Sequence, residues 1–463
     1  MRIVHYTLGV PPVRTGGLVK YVIDVAEEQA AQMHDVWVLY PGKLSKEWKE
    51  PEVGAMIVKN QVKYCPIHDS QPVPLAGGIL NPDSFMHPCD EDIFWNMWQR
   101  IRPDVLHIHS LMGIYKEMVE TAKRLGIRIV FTTHDFFGVC PRTDLMRSDD
   151  SVCREMNWDR CEECCMGAYS MKKMIFQQSK WYPIYNNSSV VNELRSNTFL
   201  NALVRKRKEK NISENDSMMA TKNIDYSKLR AYYRDIFKLV DRFLYNSSQT
   251  MRQYEKRMPF ATGAVLSILH KNMNDNRQRK TFGKTLRISY MGGPKVYKGY
   301  QMLKTALDSL YYNKKKTDFV LQVYFYDKID TDPYIEYNGN YSYQDMPGIM
   351  EKTDLVVVPS LWYETFGFVA AEAISFGVPV LITGHVGAKD MLSSNEGFGE
   401  IVPPTTEGLL QQLEHIYDDR SILECWNENI CNSELDFSFT EHVCALTKLY
   451  GGKHAWNESI SGE

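Results

Sequence analysis

The chain has 463 residues, 44% hydrophobic and 24% charged, with a formal net charge of -3. That length suffices for two or three domains with separate cores, and the near-neutral balance argues against nucleic acid as a partner. No apolar run reaches the length of a membrane span, and the first residues lead into Pro11-Pro12 rather than into a signal-peptide core, so a cytoplasmic protein is expected.

Predicted elements alternate between strand and helix. Residues 2–6 read as a strand, Gly16-Gly17 as the turn after it, residues 18–26 as an amphipathic helix and residues 36–40 as a second strand, which is a βαβ opening. Two glycines there let a backbone approach a phosphate or a sugar, and they serve an ordinary tight turn equally well. Residues 104–109 and 127–133 follow as strands, with a helical pattern over 115–125 between them, so the sheet is expected to be parallel. His107 and His109 alternate along one of these strands and are expected on opposite faces; His109, at the strand end, is the candidate to line a cleft. His134 ends the next strand, and Asp135 beside it would orient the ring or cap the next turn.

An irregular stretch comes next. Cys140, Cys153, Cys161, Cys164 and Cys165 lie close together in the chain. Cys161 and Cys164 have a metal-knuckle spacing, and Cys140 with Cys153 would complete a four-thiolate structural zinc site; free thiols or a redox pair are the alternatives. Residues 166–235 hold 13 Lys and Arg against 6 Asp and Glu, with Trp181, Tyr182, Ile184 and Tyr185 among them and a basic run at 205–208. This reads either as a solvated helical insertion or as a face for anionic lipid headgroups. Strands at 243–246 and 264–268 close the first half, residues 271–284 form a polar linker, and strands at 286–291, 319–324, 355–358, 378–382 and 400–402 build a second sheet. The fold class is α/β. Two Rossmann-like, doubly wound parallel-sheet domains face a cleft: residues 1–270, with the cysteine-rich and basic insertion at about 140–235, and residues 285–440, followed by a C-terminal helix and tail at 441–463 that can cross back.

The most specific signal lies after the strand at 355–358. Glu364 and Glu372 flank Phe366-Gly367-Phe368, where a strand runs through a short loop into a helix and exposes free amides that attract phosphate. Eight residues of helix would span about 12 Å, the length over which a nucleotide-sugar would be held at both ends. Residues 360–383 resemble the signature segment of the family-4 retaining glycosyltransferases (glycosyl transferases group 1), which have the GT-B fold and a glutamate pair at this spacing.

That resemblance implies a role for each residue. Glu364 would contact hydroxyls of the transferred sugar, Glu372 the ribose of the nucleotide, Lys298 the donor diphosphate, and His134 the donor sugar near its leaving phosphate. Gly16 and Gly17 would line the cleft with Phe366, Gly367 and Phe368, and His109 would face the acceptor. The family's arginine five residues before the lysine is Gly293 here, with Lys295 as a substitute. The expected reaction moves a sugar from a nucleotide-diphosphate sugar to a glycan or lipid-linked acceptor in cell-surface polysaccharide synthesis, with no cofactor required for catalysis and with peripheral membrane contact. The alternatives are a non-catalytic GT-B subunit of a glycan-assembly complex and a nicotinamide-dependent oxidoreductase. Against the latter, neither half has the G-x-G-x-x-G pattern.

Overall fold

The computed structural model describes residues 1–75, 77–154, 160–179, 181–186, 224–325, 330–394 and 397–451. The basic run at 205–208 lies outside the described residues. Among the described residues, nine strands make the first sheet: β1 (Arg2–Tyr6), β2 (Asp35–Pro41), β3 (Glu52–Val53), β4 (Ile57–Lys59), β5 (Val62–His68), β6 (Val105–Ile108), β7 (Arg128–Thr133), β8 (Arg242–Tyr245) and β9 (Gly263–Val265). Their order is β3-β5-β2-β1-β6-β7-β8-β9, with β4 also paired to β5. The pairs are parallel except at the edge, where β3 and β4 run antiparallel to β5. Six parallel strands make the second: β10 (Leu286–Tyr290), β11 (Phe319–Val323), β12 (Ile335–Tyr337), β13 (Leu355–Val358), β14 (Val380–Thr383) and β15 (Gly399–Val402), in the order β12-β11-β10-β13-β14-β15.

The central strands are mostly apolar and buried on both faces, as parallel strands covered by helices must be, with His107 in β6 and Thr383 in β14 as buried polar exceptions. In each sheet the chain winds outward in both directions from a central pair, β1 beside β6 and β10 beside β13. Loops leaving the carboxyl ends of such a pair diverge and leave a crevice. The loops after β1, β6, β10 and β13 therefore converge on one region between the two Rossmann-like domains.

The C-terminal helix, Phe439–Leu449, lies on the first half. Its N-terminus is capped by Ser438, whose hydroxyl accepts from the Glu441 amide. Tyr21 Oη meets His442 Nε2 at 2.9 Å, Gln29 Nε2 donates to Thr447 Oγ1 at 3.0 Å, and Arg242 donates to the Leu449 carbonyl at 2.5 Å. One apolar cluster runs from Val22 and Val25 in the first half through Phe366 and Ala370 in the second to Val443 and Leu446 in this helix. The halves also meet directly. Ser248 Oγ and N donate to Asp390 at 2.5 and 2.6 Å, and Ser247 and Thr250 both donate to the Thr365 carbonyl.

Candidate functional site

After β13 the chain enters a loop that carries Ser360, Trp362 and Glu364. This loop is fixed from the next crossover: Glu364 N donates to His385 O at 3.1 Å, and Gly387 N returns a bond to Glu364 O at 3.0 Å. Glu364 is thereby held with its carboxylate toward the loop after β10. Its Oε1 accepts from Lys298 Nζ at 2.7 Å and its Oε2 from Ser360 Oγ at 2.6 Å. The Lys298 side chain is 24% exposed and that of Glu364 17%. Burial pushes the Glu364 carboxyl up, but the Lys298 ammonium and the Ser360 hydroxyl outweigh it and hold the group below its ordinary value. Lys298 also lies 5.1 Å from the centre of the Trp362 ring. Ser360, four residues before Glu364, was not singled out from sequence, although that short spacing is the signal that could have found it.

The helix that follows runs only from Phe368 to Ser375. The expectation that the eight-residue span from Glu364 to Glu372 is helical is therefore corrected. Gly367 sits at φ 98°, in the left-handed region, and breaks the chain direction just before the helix. Glu364 belongs to the preceding loop, so the 12 Å rise does not apply. What survives is the helix start. Among the described residues, no acceptor takes the amides of Gly367, Phe368 or Val369, and the positive end of the helix is open there. Gly17 of the first half faces this point, with a side-chain carbon at that glycine falling 3.5 Å from the Phe368 ring. Gly16, Gly17, Phe366, Gly367, Phe368, Lys298 and Glu364 thus share one region. Gly293 has φ 76°, where an arginine would be strained, and the exposed Lys295 lies over Tyr297 at 5.5 Å rather than beside Glu364.

Glu372, 5% exposed, lies on the buried face of the helix, and its Oε1 is 2.8 Å from His270 Nε2. His270 packs against Tyr343 and Phe368, with ring centres 4.7 and 5.2 Å apart. An open cavity of about 370 Å³ beside Tyr343 is lined by Tyr324, Asn340, Tyr341 and Ser342. Neither His270 nor Tyr343 was foreseen. His270 is 102 residues from Glu372, and no local pattern announces such a pairing.

Two family models match the chain, Glycosyltransferase Family 4 over residues 15–154 and Glycosyl transferases group 1 over residues 328–432, together more than half of its length. The chain belongs to the family-4 GT-B glycosyltransferases. No curated protein matches the sequence. Solved structures resemble it in fold at low identity. Sucrose-phosphate synthase from Thermosynechococcus elongatus has 15% identity and a TM-score of 0.55, covering 97% of this chain and 98% of that one. Anabaena HepE, in complex with UDP and glucose, has 12% identity and 0.53, covering 97% and 99%. An E. coli trehalose-6-phosphate protein bound with UDP-2-fluoro glucose has 11% identity and 0.54, covering 98% and 99%.

In this glycosyltransferase His134 does reach the same region, since Thr365 Oγ1 donates to its carbonyl at 3.2 Å. Asp135 does not orient its ring. That carboxylate accepts from Phe137 N at 2.8 Å and Ser110 Oγ at 2.9 Å, which makes it a turn cap, and burial pushes it up to about 6. His109 holds His134 instead, Nδ1 to Nε2 at 3.1 Å. The placement of His109 as an acceptor contact is corrected. It is fully buried, and its other nitrogen bonds His5 at 3.0 Å, so neither nitrogen is available to a sugar. His107 and His109 also share a face, with ring centres 3.9 Å apart, because side chains two residues apart on a strand point the same way.

The cysteines expected to hold zinc do gather in one place, since Cys140, Cys153, Cys164 and Cys165 all lie near enough to act on the Cys161 thiol. Cys161 and Cys164 sit on a short helix, Cys161–Cys165, rather than in a turn that would point both sulfurs at one ion. No two of the ten cysteines are joined in a disulfide. Among the described residues, the ligand atoms close enough to share an ion belong to His5, His107 and His109, and no three of Cys140, Cys153, Cys161 and Cys164 qualify. Burial is the main cause that raises the Cys140 thiol, to about 12, and the Cys161 and Cys164 thiols as well. Among the described residues, no helix is long and apolar enough to cross a membrane.

Proposed function

We propose that this glycosyltransferase moves a sugar, with retention at the anomeric carbon, from a nucleotide-diphosphate sugar to a hydroxyl of a glycan or lipid-linked glycan in cell-surface polysaccharide synthesis. The observation that carries the reading is the Lys298–Glu364 pair beside the open start of the Phe368–Ser375 helix. The diphosphate lies over the Gly367 and Phe368 amides with Lys298 at its outer oxygens. Glu364 accepts from sugar hydroxyls, Glu372 is the ribose contact, and the tyrosine-lined cavity beside it takes the base. Bond cleavage leaves its electron pair on the diphosphate oxygen, and the acceptor oxygen bonds the anomeric carbon from the same face while its proton passes to that leaving oxygen. Each preorganised donor aimed at the developing charge is worth roughly 3–4 kcal/mol. In this scheme amides and Lys298 take the place of a divalent ion.

Retention rests on the resemblance to family-4 enzymes, and the UDP and glucose in one structural neighbour and UDP-2-fluoro glucose in another support a uridine donor as the first to try. Phe176, Trp181 and Ile184 are exposed large apolar side chains in the insertion and are proposed to rest on the inner membrane face while the protein stays cytoplasmic. The test is a thermal-shift screen of UDP-, GDP- and ADP-glucose followed by a donor-hydrolysis assay. A stabilising ligand that is hydrolysed supports the reading, and no shift or hydrolysis with any of the three, or equal behaviour in Lys298→Met, overturns it.

A further inference from the structure

The buried histidines form a continuous chain that the reaction scheme above does not use. It starts at His134 in the cleft and passes from its Nε2 to His109 Nδ1 at 3.1 Å, from His109 Nε2 to His5 Nδ1 at 3.0 Å, and from His5 Nε2 to Gln29 Oε1 at 2.8 Å. Gln29 is in turn anchored by the C-terminal helix, its Nε2 reaching Thr447 Oγ1 at 3.0 Å and Tyr450 Oη at 3.4 Å. A neutral imidazole carries one N–H and one lone pair. Once one end of such a chain is fixed, every ring in it must take the same sense. An amide oxygen can only accept, so His5 must donate from Nε2, its Nδ1 must accept from His109 Nε2–H, and His109 Nδ1 must accept from His134 Nε2–H.

We infer that Gln29, His5 and His109 act as positioning residues that hold His134 in its Nε2–H form and leave Nδ1 as a lone pair available to a ligand hydroxyl. Burial keeps the rings neutral, as the relay requires: it lowers His5 to about 4 and His134 to about 3, and depresses His109 as well. Although His5, His107 and His109 have atoms close enough to share an ion, both nitrogens of each ring already have a partner. Those of His107 meet Tyr450 Oη at 2.6 Å and Thr132 Oγ1 at 2.7 Å. The cluster is therefore a hydrogen-bond relay. A role for His134 toward a sugar rests on the function proposed above, but its tautomer does not.

The experiment reads that tautomer in the free protein. Long-range ¹H–¹⁵N spectra of histidine-labelled enzyme separate Nε2–H, Nδ1–H and doubly protonated rings, and His134→Gln, His109→Gln and His5→Gln assign the signals. The expected result is Nε2–H at all three. A mixed set, Nδ1–H throughout, or a doubly protonated ring at neutral pH overturns the relay. The wild-type spectrum decides this even if a buried variant fails to fold. Gln29→Leu removes the acceptor and is expected to give His134 a mixed population, whereas Gln29→Glu, which can only accept, keeps it Nε2–H. An unchanged His134 signal in Gln29→Leu also overturns the inference. Failure of every donor in the thermal-shift screen with the expected tautomers present would count against the proposed function alone.

Discussion

Replacing Lys298 with methionine keeps an aliphatic stem against Trp362 and removes the ammonium that pairs with Glu364. The carboxylate, with only 17% of its side chain exposed, then keeps only the neutral donors Ser360 and Trp362. Exposed ion pairs contribute at most about 1 kcal/mol, and losing one partner of a fully buried pair costs roughly 3–5 kcal/mol. The intermediate burial here places the cost at about 2 kcal/mol, a fall of roughly 4–8 °C in the melting midpoint for a domain of this size. The pH dependence has a definite sign. In the wild type the folded Glu364 is held below its unfolded value, so its contribution is present above about pH 4.3 and is lost as pH falls through the folded value. In the variant, burial is no longer outweighed and the group moves up. The variant is therefore most destabilised near neutrality, and the gap between the two proteins closes on acidification. Scanning fluorimetry from about pH 4 to 8 measures this, with donor turnover expected to fall about a hundredfold. Equal midpoints across that range, or turnover within about fivefold, would refute the reasoning.

Three further outcomes are expected. Gly367→Ala adds a carbon 2.6 Å from Val386 Cγ1 at φ 98°, costing about 1–2 kcal/mol for handedness and about 1–3 kcal/mol for overpacking. Adding Val386→Ala should recover only the second part in a denaturant titration, and full recovery would show that the backbone is unstrained. Neutral burial of His5, His107, His109, His134 and His442 means that the unfolded chain takes up more protons below about pH 6.5, so stability falls as pH drops from there. Asp135, raised to about 6, has the opposite slope between its unfolded value and about 6, so Asp135→Asn should steepen the acid loss; an unchanged slope in melting midpoints would contradict its assigned value. Tyr450→Phe removes the hydroxyl that meets His107 Nδ1 and Gln29 Nε2 and should cost about 1–3 kcal/mol, read as a lower midpoint.

Most of the parallel strands were legible because each is a short, largely apolar run between turn residues, and β13 and the loop after it carry the most specific motif in the chain; the parallel strands β5 (VKYCPIH) and β12 (IEY) were missed because polar residues interrupt them. The edge was not. β3 has two residues and β4 is exposed throughout, so neither has an apolar face to mark it in the sequence. The helix Ser248–Arg257, which meets the second half, is mostly polar and gives little periodic signal. At the site, residue types were readable while their partners were not. Glu364 with Lys298 joins residues 66 positions apart and Glu372 with His270 joins residues 102 apart, distances that only the packed sheets decide. The shared face of His107 and His109 was within reach, since strand periodicity alone places them together.

The helix that returns from the second half to the first makes the link between the halves double, one passage near Leu266–Leu286 and another just before Phe439. A body held by one tether can swivel about many axes, whereas two separated tethers leave a single axis of rotation through both. Any opening that admits a donor must then follow an arc like that of a door on two pins, carrying the Phe368 end of the helix away from Gly17 and returning it to the same register each cycle.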